Sequence, residues 1–213
     1  MPWSSNATFL VEISGADGPT LAVYKPHRGE RPLWDFPDGL YRREAAAWVL
    51  SDALGWGVVP PTIVRDGPLG VGSVQLFVEA DFEQHYFTLY EDEVHHPALR
   101  TICAFDLVAN NTDRKGGHCL LGVDGRVYAI DNGLCFHPEP KIRTVIWEFA
   151  TEDVPTAILA DLEALVAEAP AALDELLTTT ERRALLHRAE ALVDAGRFPL
   201  ADPDERCYPW PLV

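Results

Sequence analysis

The sequence predicts an α+β protein with two lobes, a small β-rich N-terminal lobe and a mainly helical C-terminal lobe. Up to about residue 80, short apolar runs alternate with Gly/Pro turns, a pattern typical of antiparallel strands. From Pro155 to Ala195 the sequence is almost wholly helical in character, with Ala, Leu and Glu prevailing. A chain of 213 residues suffices for one domain with two lobes around a cleft. We therefore expect a single domain over 1–213, with an N-lobe of about 1–80 and a C-lobe of about 81–213.

The N-terminal lobe is predicted to begin with a β-hairpin. The segments ATFLVEI (7–13) and TLAVYKP (20–26) flank the turn SGADGP. After a loop rich in proline and charge, LYRREAAAWVLSDALG (40–55) predicts a helix that ends at a glycine. Two further strands are predicted in VVPPTIVRD (58–66) and GSVQLFVEA (72–80), on either side of the turn GPLG.

The C-terminal lobe begins with an apolar helix, PALRTICAFDLVAN (97–110). GRVYAIDNG (125–133) predicts a strand of a second hairpin. Between them lies NNTDRKGGHCLL (110–121), which places two amides, an acid, two bases, two glycines and a histidine in one short loop. So much polar chemistry between two apolar stretches indicates a functional loop.

Composition excludes several classes of partner. The net charge of −16 opposes binding to nucleic acid and to anionic membranes. No stretch approaches the roughly 18 consecutive apolar residues of a membrane span, and the N-terminus lacks a signal pattern. The four cysteines have no metal-type or redox spacing, so we expect buried thiols in the reducing cytoplasm.

The order of five residues along the chain predicts phosphoryl transfer. This reaction needs an acid near the attacking hydroxyl, metal ligands at the phosphates and a cation on the nucleotide. A protein kinase supplies the first two from a catalytic-loop Asp, an Asn five residues later and a second Asp after the next hairpin. Here Asp113 is followed five residues later by His118, and Asp131 ends the strand VYAI. Lys25 at the end of the second strand supplies the cation, with Glu44 on the following helix as its partner.

Four motifs resemble the phosphatidylinositol 3/4-kinase-like family, and type II phosphatidylinositol 4-kinases most of all. NNTDR resembles the catalytic loop and AIDNGLCF the metal-binding segment. GSVQLFVE is similar to the hinge strand, and REAAAWVLSDALGWGVVPPTIV to the helix-and-strand connection. The chain also looks like small kinase-like proteins of actinobacteria whose substrate is unassigned. The resemblance spans residues 20–136 and implies a protein-kinase-like two-lobed fold with ATP between the lobes.

The resemblance also implies the roles of individual residues, with ATP and Mg²⁺ or Mn²⁺ as cofactors. Lys25 holds the nucleotide phosphates with Glu44 beside it, Asp113 is catalytic, and Asp131 binds the metal. The adenine pocket is expected to be lined by Gln75, Leu76, Phe77, Val78 and Glu79.

The acceptor side of the site is expected to be formed by the polar loop and the segment after it. The residues expected to shape the loop and the acceptor side are Asn110, Asn111, Arg114 and Lys115, and the last two are expected to belong with Asp113 to the catalytic residues. HPEPKIRTVIWEF (137–149) follows the metal site, and its Lys141 and Arg143 favour an anionic acceptor. The sequence leaves open whether the acceptor hydroxyl belongs to a protein, a metabolite or a sugar, and it leaves the oligomeric state open.

Three features depart from the family pattern. His118 occupies the position of the metal-binding Asn, and imidazole suits Mn²⁺ better than Mg²⁺. If His118 binds metal, the affinity is expected to fall as the pH drops through roughly 6.5. The cysteine-rich lipid-anchoring stretch is missing, which with the acidic charge argues against a membrane phosphoinositide as substrate. No G-x-G-x-x-G loop is present, so SGADGP would have to cover the phosphates.

Several of these residues have a second interpretation. Glu44 follows two arginines, and an ion pair with either is the alternative to Lys25. Asp113 beside Arg114 is also typical of a surface ion pair. His118 is alternatively a brace within the loop, and the two glycines before it provide positive φ for a turn. At the level of function, the alternatives are a nucleotide-binding pseudokinase or scaffold, and an AMP transferase on the same fold.

Overall fold

The computed structural model describes residues 7–15 and 18–213. Within them, strands form a four-stranded sheet of order β1-β2-β4-β3 and a three-stranded sheet of order β5-β6-β7, both antiparallel. The strands are β1 (Phe9–Gly15), β2 (Gly18–Pro26), β3 (Thr62–Gly67), β4 (Gly70–Leu76), β5 (Ala80–Asp81), β6 (Cys119–Gly122) and β7 (Val127–Ala129). The first sheet belongs to the N-terminal lobe and the second lies among the helices.

Both predicted hairpins are confirmed. β1 pairs with β2 along its whole length, and β6 pairs with β7 from Cys119 opposite Ala129. Residues 16–17 of the turn SGADGP, which was expected to cover the phosphates, lie outside the described residues. β4 ends at Leu76, four residues before the predicted strand end, because 77–79 leave the sheet and lead to β5 in the second sheet.

The helices follow the predicted order. They are α1 (Leu40–Ala53), α2 (Tyr86–Tyr90), α3 (His96–Ala109), α4 (Thr156–Ala167), α5 (Leu173–Leu176) and α6 (Thr179–Ala195). The region 155–195 forms three helices because Pro170 cannot occupy a helix interior. A capping box between Thr178 and Glu181 then starts α6. None of the helices in the described part of the chain is long and apolar enough to cross a membrane.

The main hydrophobic core lies in the helical lobe and includes α1. Residues of α3 three or four apart point into it, and Leu99, Ile102, Phe105 and Val108 are fully buried. Each such side chain contributes about 1.5–3 kcal/mol by leaving water. Leu50 of α1 packs in the same cluster, so this helix is attached to the helical lobe although two strands of the first sheet follow it in sequence.

The cysteines are buried free thiols, as the sequence predicts. They are Cys103, Cys119, Cys135 and Cys207. Burial raises the pKa of the Cys119 thiol to about 12, so this sulfur stays protonated and unreactive at neutral pH.

Candidate active site

Lys25 and Asp131 meet where the two lobes come together. The Nζ atom of Lys25, on β2, lies 2.7 Å from Oδ1 of Asp131 and also forms an ion pair with Glu44. Burial alone would lower the pKa of the Lys25 ammonium, but Asp131 and Glu44 outweigh it and raise the pKa above its ordinary value. The same ion pair holds the pKa of Asp131 well below its usual range. Asp131 follows β7 with a φ of 59°, and its side chain is 53% exposed.

Glu44 pairs with Lys25 and not with the arginines that precede it. Its side chain is buried, and its second oxygen accepts a hydrogen bond of 3.1 Å from the backbone N–H of Asn132. Arg43 instead forms an ion pair with Glu181 of α6. Since both oxygens of Glu44 are engaged by the protein, this carboxylate acts on Lys25 and on the segment that carries Asp131.

His118 faces the other oxygen of Asp131. Its Nε2 atom lies 3.5 Å from Oδ2 of Asp131. Burial lowers the pKa of the imidazole to about 4, although the negative charge of Asp131 acts in the opposite direction. The ring is therefore neutral at physiological pH. The titration expected near pH 6.5 from the sequence moves down to about pH 4 because the site shields most of the ring from water.

The contact made by the second nitrogen of His118 indicates the tautomer of the ring. Nδ1 lies 3.4 Å from the backbone nitrogen of Lys115, whose N–H donates to it. In a neutral imidazole the ring proton is then on Nε2, which directs it at Asp131. A metal ion at Nε2 would need the other tautomer, with the proton on Nδ1.

Asp113 and Lys115 form the exposed side of the polar loop. Nζ of Lys115 lies 2.9 Å from Oδ2 of Asp113, and both side chains are partly exposed. The backbone N–H of Asp113 donates to Oδ1 of Asn111 at 3.0 Å, which fixes the turn. Burial raises the pKa of the Asp113 carboxyl above its ordinary value, against the opposing effect of Lys115.

Arg114 points in the opposite direction, into the core. Its side chain has no exposed surface and forms a bidentate ion pair with Asp106 of α3, in which Nη2 lies 2.9 Å from Oδ1. Nη1 donates to the carbonyl of Ile130 at 2.7 Å, and Nη2 donates to Oδ1 of Asn132 at 2.6 Å. Arg114 helps to shape the loop, as expected. Its expected place on the acceptor side and among the catalytic residues is wrong, and so is the surface ion pair with Asp113, because this buried guanidinium lies beneath the loop.

The two asparagines at the start of the loop are also structural. Asn110 ends α3 in the left-handed conformation, with a φ of 54°. Its amide donates to the carbonyl of Glu139 at 2.7 Å and accepts from the N–H of Lys141 at 2.9 Å. Asn111 donates to Oδ1 of Asp106 at 3.0 Å. Both side chains are buried, so they hold the loop in shape and do not face an acceptor.

The sequence analysis did not predict the role of Asp106, the buried carboxylate to which the structural residues of the loop bind. Asp106 accepts hydrogen bonds from Arg114, Asn111 and the hydroxyl of Thr144, the last at 3.1 Å. A signal was present, because Asp106 is the single charge in the apolar run AFDLVA. A charge on a buried helix face requires a partner, and the nearest loop supplies an arginine.

The glycine pair of the loop has a different cause from the one expected. Neither Gly116 nor Gly117 has a positive φ, so the turn interpretation is wrong. A Cβ atom on Gly116 would lie 3.1 Å from Phe87 and 3.3 Å from Val213. The N–H of Gly116 also donates to the carbonyl of Leu212 at 2.7 Å. Gly116 therefore lets the C-terminal segment pack directly on the loop.

The expected adenine-binding segment connects the two sheets. The side chain of Gln75 is turned into the sheet and donates to the hydroxyl of Thr62 at 2.8 Å. The backbone N–H groups of Leu76 and Phe77 donate to carbonyls on either side of β4. Within residues 7–15 and 18–213, the backbone N–H and C=O of Val78 form no hydrogen bond. The carbonyl of Glu79 accepts a hydrogen bond of 2.9 Å from the N–H of Val123, the residue that follows β6.

Comparison with known proteins gives a relative in sequence. No protein-family model matches the chain. Protein Rv2133c of Mycobacterium tuberculosis (strain ATCC 25618 / H37Rv) is 38% identical, and the match covers 98% of this chain and 88% of that protein. The name of that protein states no activity.

Comparison with solved structures identifies the fold. The structure of hydra Fam20 with sugar has a TM-score of 0.56 at 14% identity, and the match covers 90% of this chain and 81% of that chain. The Helicobacter pylori proinflammatory kinase CtkA has a TM-score of 0.54 at 10% identity, covering 91% of this chain and 89% of that one. The protein therefore has a kinase-like fold, with an antiparallel sheet in its N-terminal part and a helical part after it.

Proposed function

Since the chain belongs to the family of Protein Rv2133c from Mycobacterium tuberculosis and has a kinase-like fold, we propose that it is an ATP-dependent phosphotransferase. The acceptor of the γ-phosphate is a hydroxyl group of a soluble protein or small molecule. The observation that carries this proposal is the meeting of Lys25 and Asp131 across the lobes, 2.7 Å apart, with His118 beside them. A nucleoside triphosphate with its metal ion requires this arrangement, a cation from one lobe for the phosphates and a carboxylate from the other for the metal.

The nucleotide contacts are assigned to Lys25 and to the segment between the sheets. Lys25 stays charged at any physiological pH and is oriented by Glu44, so it provides a fixed positive charge for the phosphates. Val78 has an unpaired N–H and C=O between the lobes among the described residues. Unpaired backbone groups in a half-buried segment fit the donor and acceptor edge of an adenine ring.

The residues present fit a divalent metal ion. Oδ2 of Asp131 and Nε2 of His118 are 3.5 Å apart, a spacing that two donors at about 2.1 Å from one cation can span. The low pKa of His118 keeps the imidazole neutral, as a ligand must be. We propose that both hold Mg²⁺ or Mn²⁺, with a change of tautomer that breaks the hydrogen bond from the N–H of Lys115. When bound, the ion would neutralise charge between the β- and γ-phosphates.

Asp113 is assigned to the acceptor hydroxyl. Its raised pKa suits a group that orients the hydroxyl and takes its proton during the transfer. Nζ of Lys115 lies 2.9 Å from Oδ2 of Asp113 and places a positive charge next to the expected position of the acceptor hydroxyl. Proton removal by a fixed carboxylate contributes about 10²–10⁴-fold to the rate of such reactions.

The charges near Asp113 favour an anionic acceptor in solution. Arg143 is close enough to oppose the rise in the pKa of Asp113. Lys141 is less available than the sequence indicated, because its Nζ atom donates to the carbonyl of Asp35 at 2.9 Å. The net charge of −16 opposes binding to an anionic bilayer, so membrane phosphoinositides are not proposed as substrates. Four buried free thiols fit the reducing cytoplasm, where we place the protein.

The fate of a labelled phosphate tests the proposal. Purified protein is incubated with γ-labelled or α-labelled ATP, Mg²⁺ or Mn²⁺, and a heat-inactivated cell lysate separated into protein and low-molecular-weight fractions. We expect γ-label in one fraction with the wild type and with the control Arg100→Met, and at least about 10²-fold less with Asp113→Asn. Transfer of α-label would identify an AMP transferase, and binding of ATP without any transfer would identify a pseudokinase. Either result would overturn the proposal.

A further inference from the structure

The position of α1 decides whether Lys25 and Glu44 can pair. Glu44 is the residue of α1 that contacts Lys25, and it is buried. In protein kinases the corresponding helix must be in place for catalysis, and phosphorylation of a separate loop controls it. What holds α1 in this protein therefore bears on how its activity is regulated.

The first turn of α1 is anchored by a carboxylate from the preceding loop. Gly39 precedes the helix in the left-handed conformation, with a φ of 87°, and supplies no side-chain cap. Glu30 takes this role, because its two oxygens accept from the N–H groups of Leu40 at 3.0 Å and Tyr41 at 2.7 Å. A negative charge at a helix N-terminus is also favourable for the helix dipole.

The next turn is anchored to the helical lobe by a buried ion pair. Arg43, which directly precedes Glu44, is 4% exposed and donates to Oε1 of Glu181 on α6. Its other terminal nitrogen donates to the carbonyls of Asp38 and Gly39, both at 3.2 Å. Glu181 is 3% exposed, and its second oxygen caps the start of α6. One guanidinium thus connects the loop before α1, α1 itself and α6.

We infer that the Arg43–Glu181 pair is a built-in clamp that holds α1 against α6 and so keeps Glu44 on Lys25 without an external activator. Arg43 is then a positioning residue for the proposed phosphoryl transfer, on which the inference rests. The physical reason is that moving α1 away would separate two buried charges and leave each without a partner, which is strongly unfavourable. The alternative is that the pair contributes only to stability, as any buried contact does.

The double variant Arg43→Met/Glu181→Gln separates these roles, because glutamine removes the charge of Glu181 but can still accept from the N–H of Thr178 at the start of α6. Removing both charges leaves no unpaired buried ion, and such replacements often preserve stability, whereas Arg43→Met alone strands Glu181. The variant therefore retains packing between α1 and α6 but lacks the directional contact. Glu181→Gln is a second test, because it keeps the shape of the side chain and weakens the attraction. Arg100→Met, which breaks an ion pair with Glu152 outside the site, is the matched control.

The rate of acylation of Lys25 by an amine-reactive ester, measured by peptide mass spectrometry, reports the position of Glu44 without any need for activity. A clamp predicts faster labelling of Lys25 in the double variant, because Glu44 no longer holds its ammonium group in place, together with a lower kcat at unchanged thermal stability. The control variant should label like the wild type. Wild-type labelling of Lys25 in whichever of the two clamp variants remains folded would overturn the inference. Failure of the proposed function looks different, since the wild type would then show no transfer while the labelling difference persisted.

Discussion

The polar loop that follows α3 has two sides with opposite properties. On the inner side, the polar side chains are buried and hydrogen-bonded to the protein; these are Asn110, Asn111 and Arg114. On the outer side, each side chain is partly exposed and has few partners; these are Asp113, Lys115 and His118. The two sets are interleaved along the sequence, and the adjacent cations Arg114 and Lys115 therefore have different tasks. Side chains whose hydrogen bonds are all made within the protein hold the shape of the loop. Side chains that keep unused donors or acceptors are available to a ligand.

The inner side converges on Asp106, and this convergence explains why the chain places so many polar groups next to core segments. A buried carboxylate is costly unless it is paired and hydrogen-bonded. Arg114 and Asn111 of the polar loop and Thr144 of the later segment 137–149 supply those contacts. The loop geometry is thereby tied to α3, on which the main core is built.

The largest expected effect on stability comes from a substitution on the inner side of the loop. Arg114→Met leaves Asp106 charged and buried without its main partner, and we expect a loss of about 3–5 kcal/mol in the free energy of unfolding. Lys115→Met, one residue away on the outer side, should change it by no more than about 1 kcal/mol. Urea denaturation of both variants measures the contrast. Equal stabilities would remove the distinction between the two sides.

The next largest effect is expected for Asp113→Asn, and it concerns the rate of phosphoryl transfer. Because its pKa is raised from the ordinary 3.8 and a base must be ionised, kcat/KM should rise with pH through the pKa of Asp113. Asp113→Asn should remove this rising limb and lower kcat by about 10²–10⁴-fold. The raised pKa also means that Asp113 favours folding below its unfolded pKa and loses this contribution as the pH rises through the folded pKa. A pH–rate profile that keeps its acidic limb in Asp113→Asn would show that another group is the base.

Substitution of His118 should change the metal preference of the protein more than its rate of phosphoryl transfer. Since the ring stays neutral down to a pKa of about 4, metal affinity of the wild type should be flat between about pH 5.5 and pH 7.5. His118→Asn replaces a nitrogen ligand by an oxygen ligand and should move the preference from Mn²⁺ toward Mg²⁺. Folding should lose stability as the pH falls from about 6.5 toward 4, because only the unfolded chain binds the proton there. Metal titrations of both proteins decide the point, and identical metal preference would exclude His118 as a ligand.

The smallest effect concerns the glycines between Lys115 and His118. Gly116→Ala places a methyl group 3.1 Å from Phe87 and 3.3 Å from Val213, closer than ordinary contact, and should cost about 1–3 kcal/mol. Gly117→Ala is the matched control, because its Cβ would lie 3.9 Å from Val213 and neither glycine has a positive φ. Thermal unfolding of the two variants gives the comparison. Equal melting temperatures would show that the C-terminal segment does not pack on the loop in solution.

From the sequence, the helices and strands and the residues that come together at the site could be predicted better than the direction in which each side chain points. Lys25, Asp131 and Glu44 come together as their order along the chain indicated, since strand ends and helix positions follow from local patterns. The burial of Arg114 did not follow from its neighbours, because its partner Asp106 is read from the sequence as part of an apolar helix. The ion pair between Arg43 and a glutamate of α6 joins residues 138 positions apart, and local patterns contain no information on such contacts.

Binding of ATP with Mn²⁺, measured by calorimetric titration, tests the central claim that Lys25 and Asp131 form one nucleotide site across the lobes. The proteins to compare are the wild type, Lys25→Met, Asp131→Asn and the control Arg100→Met. We expect the control to bind like the wild type, and each site variant to bind at least about tenfold more weakly, a change of about 1.4 kcal/mol or more. Wild-type affinity in both site variants would contradict the account.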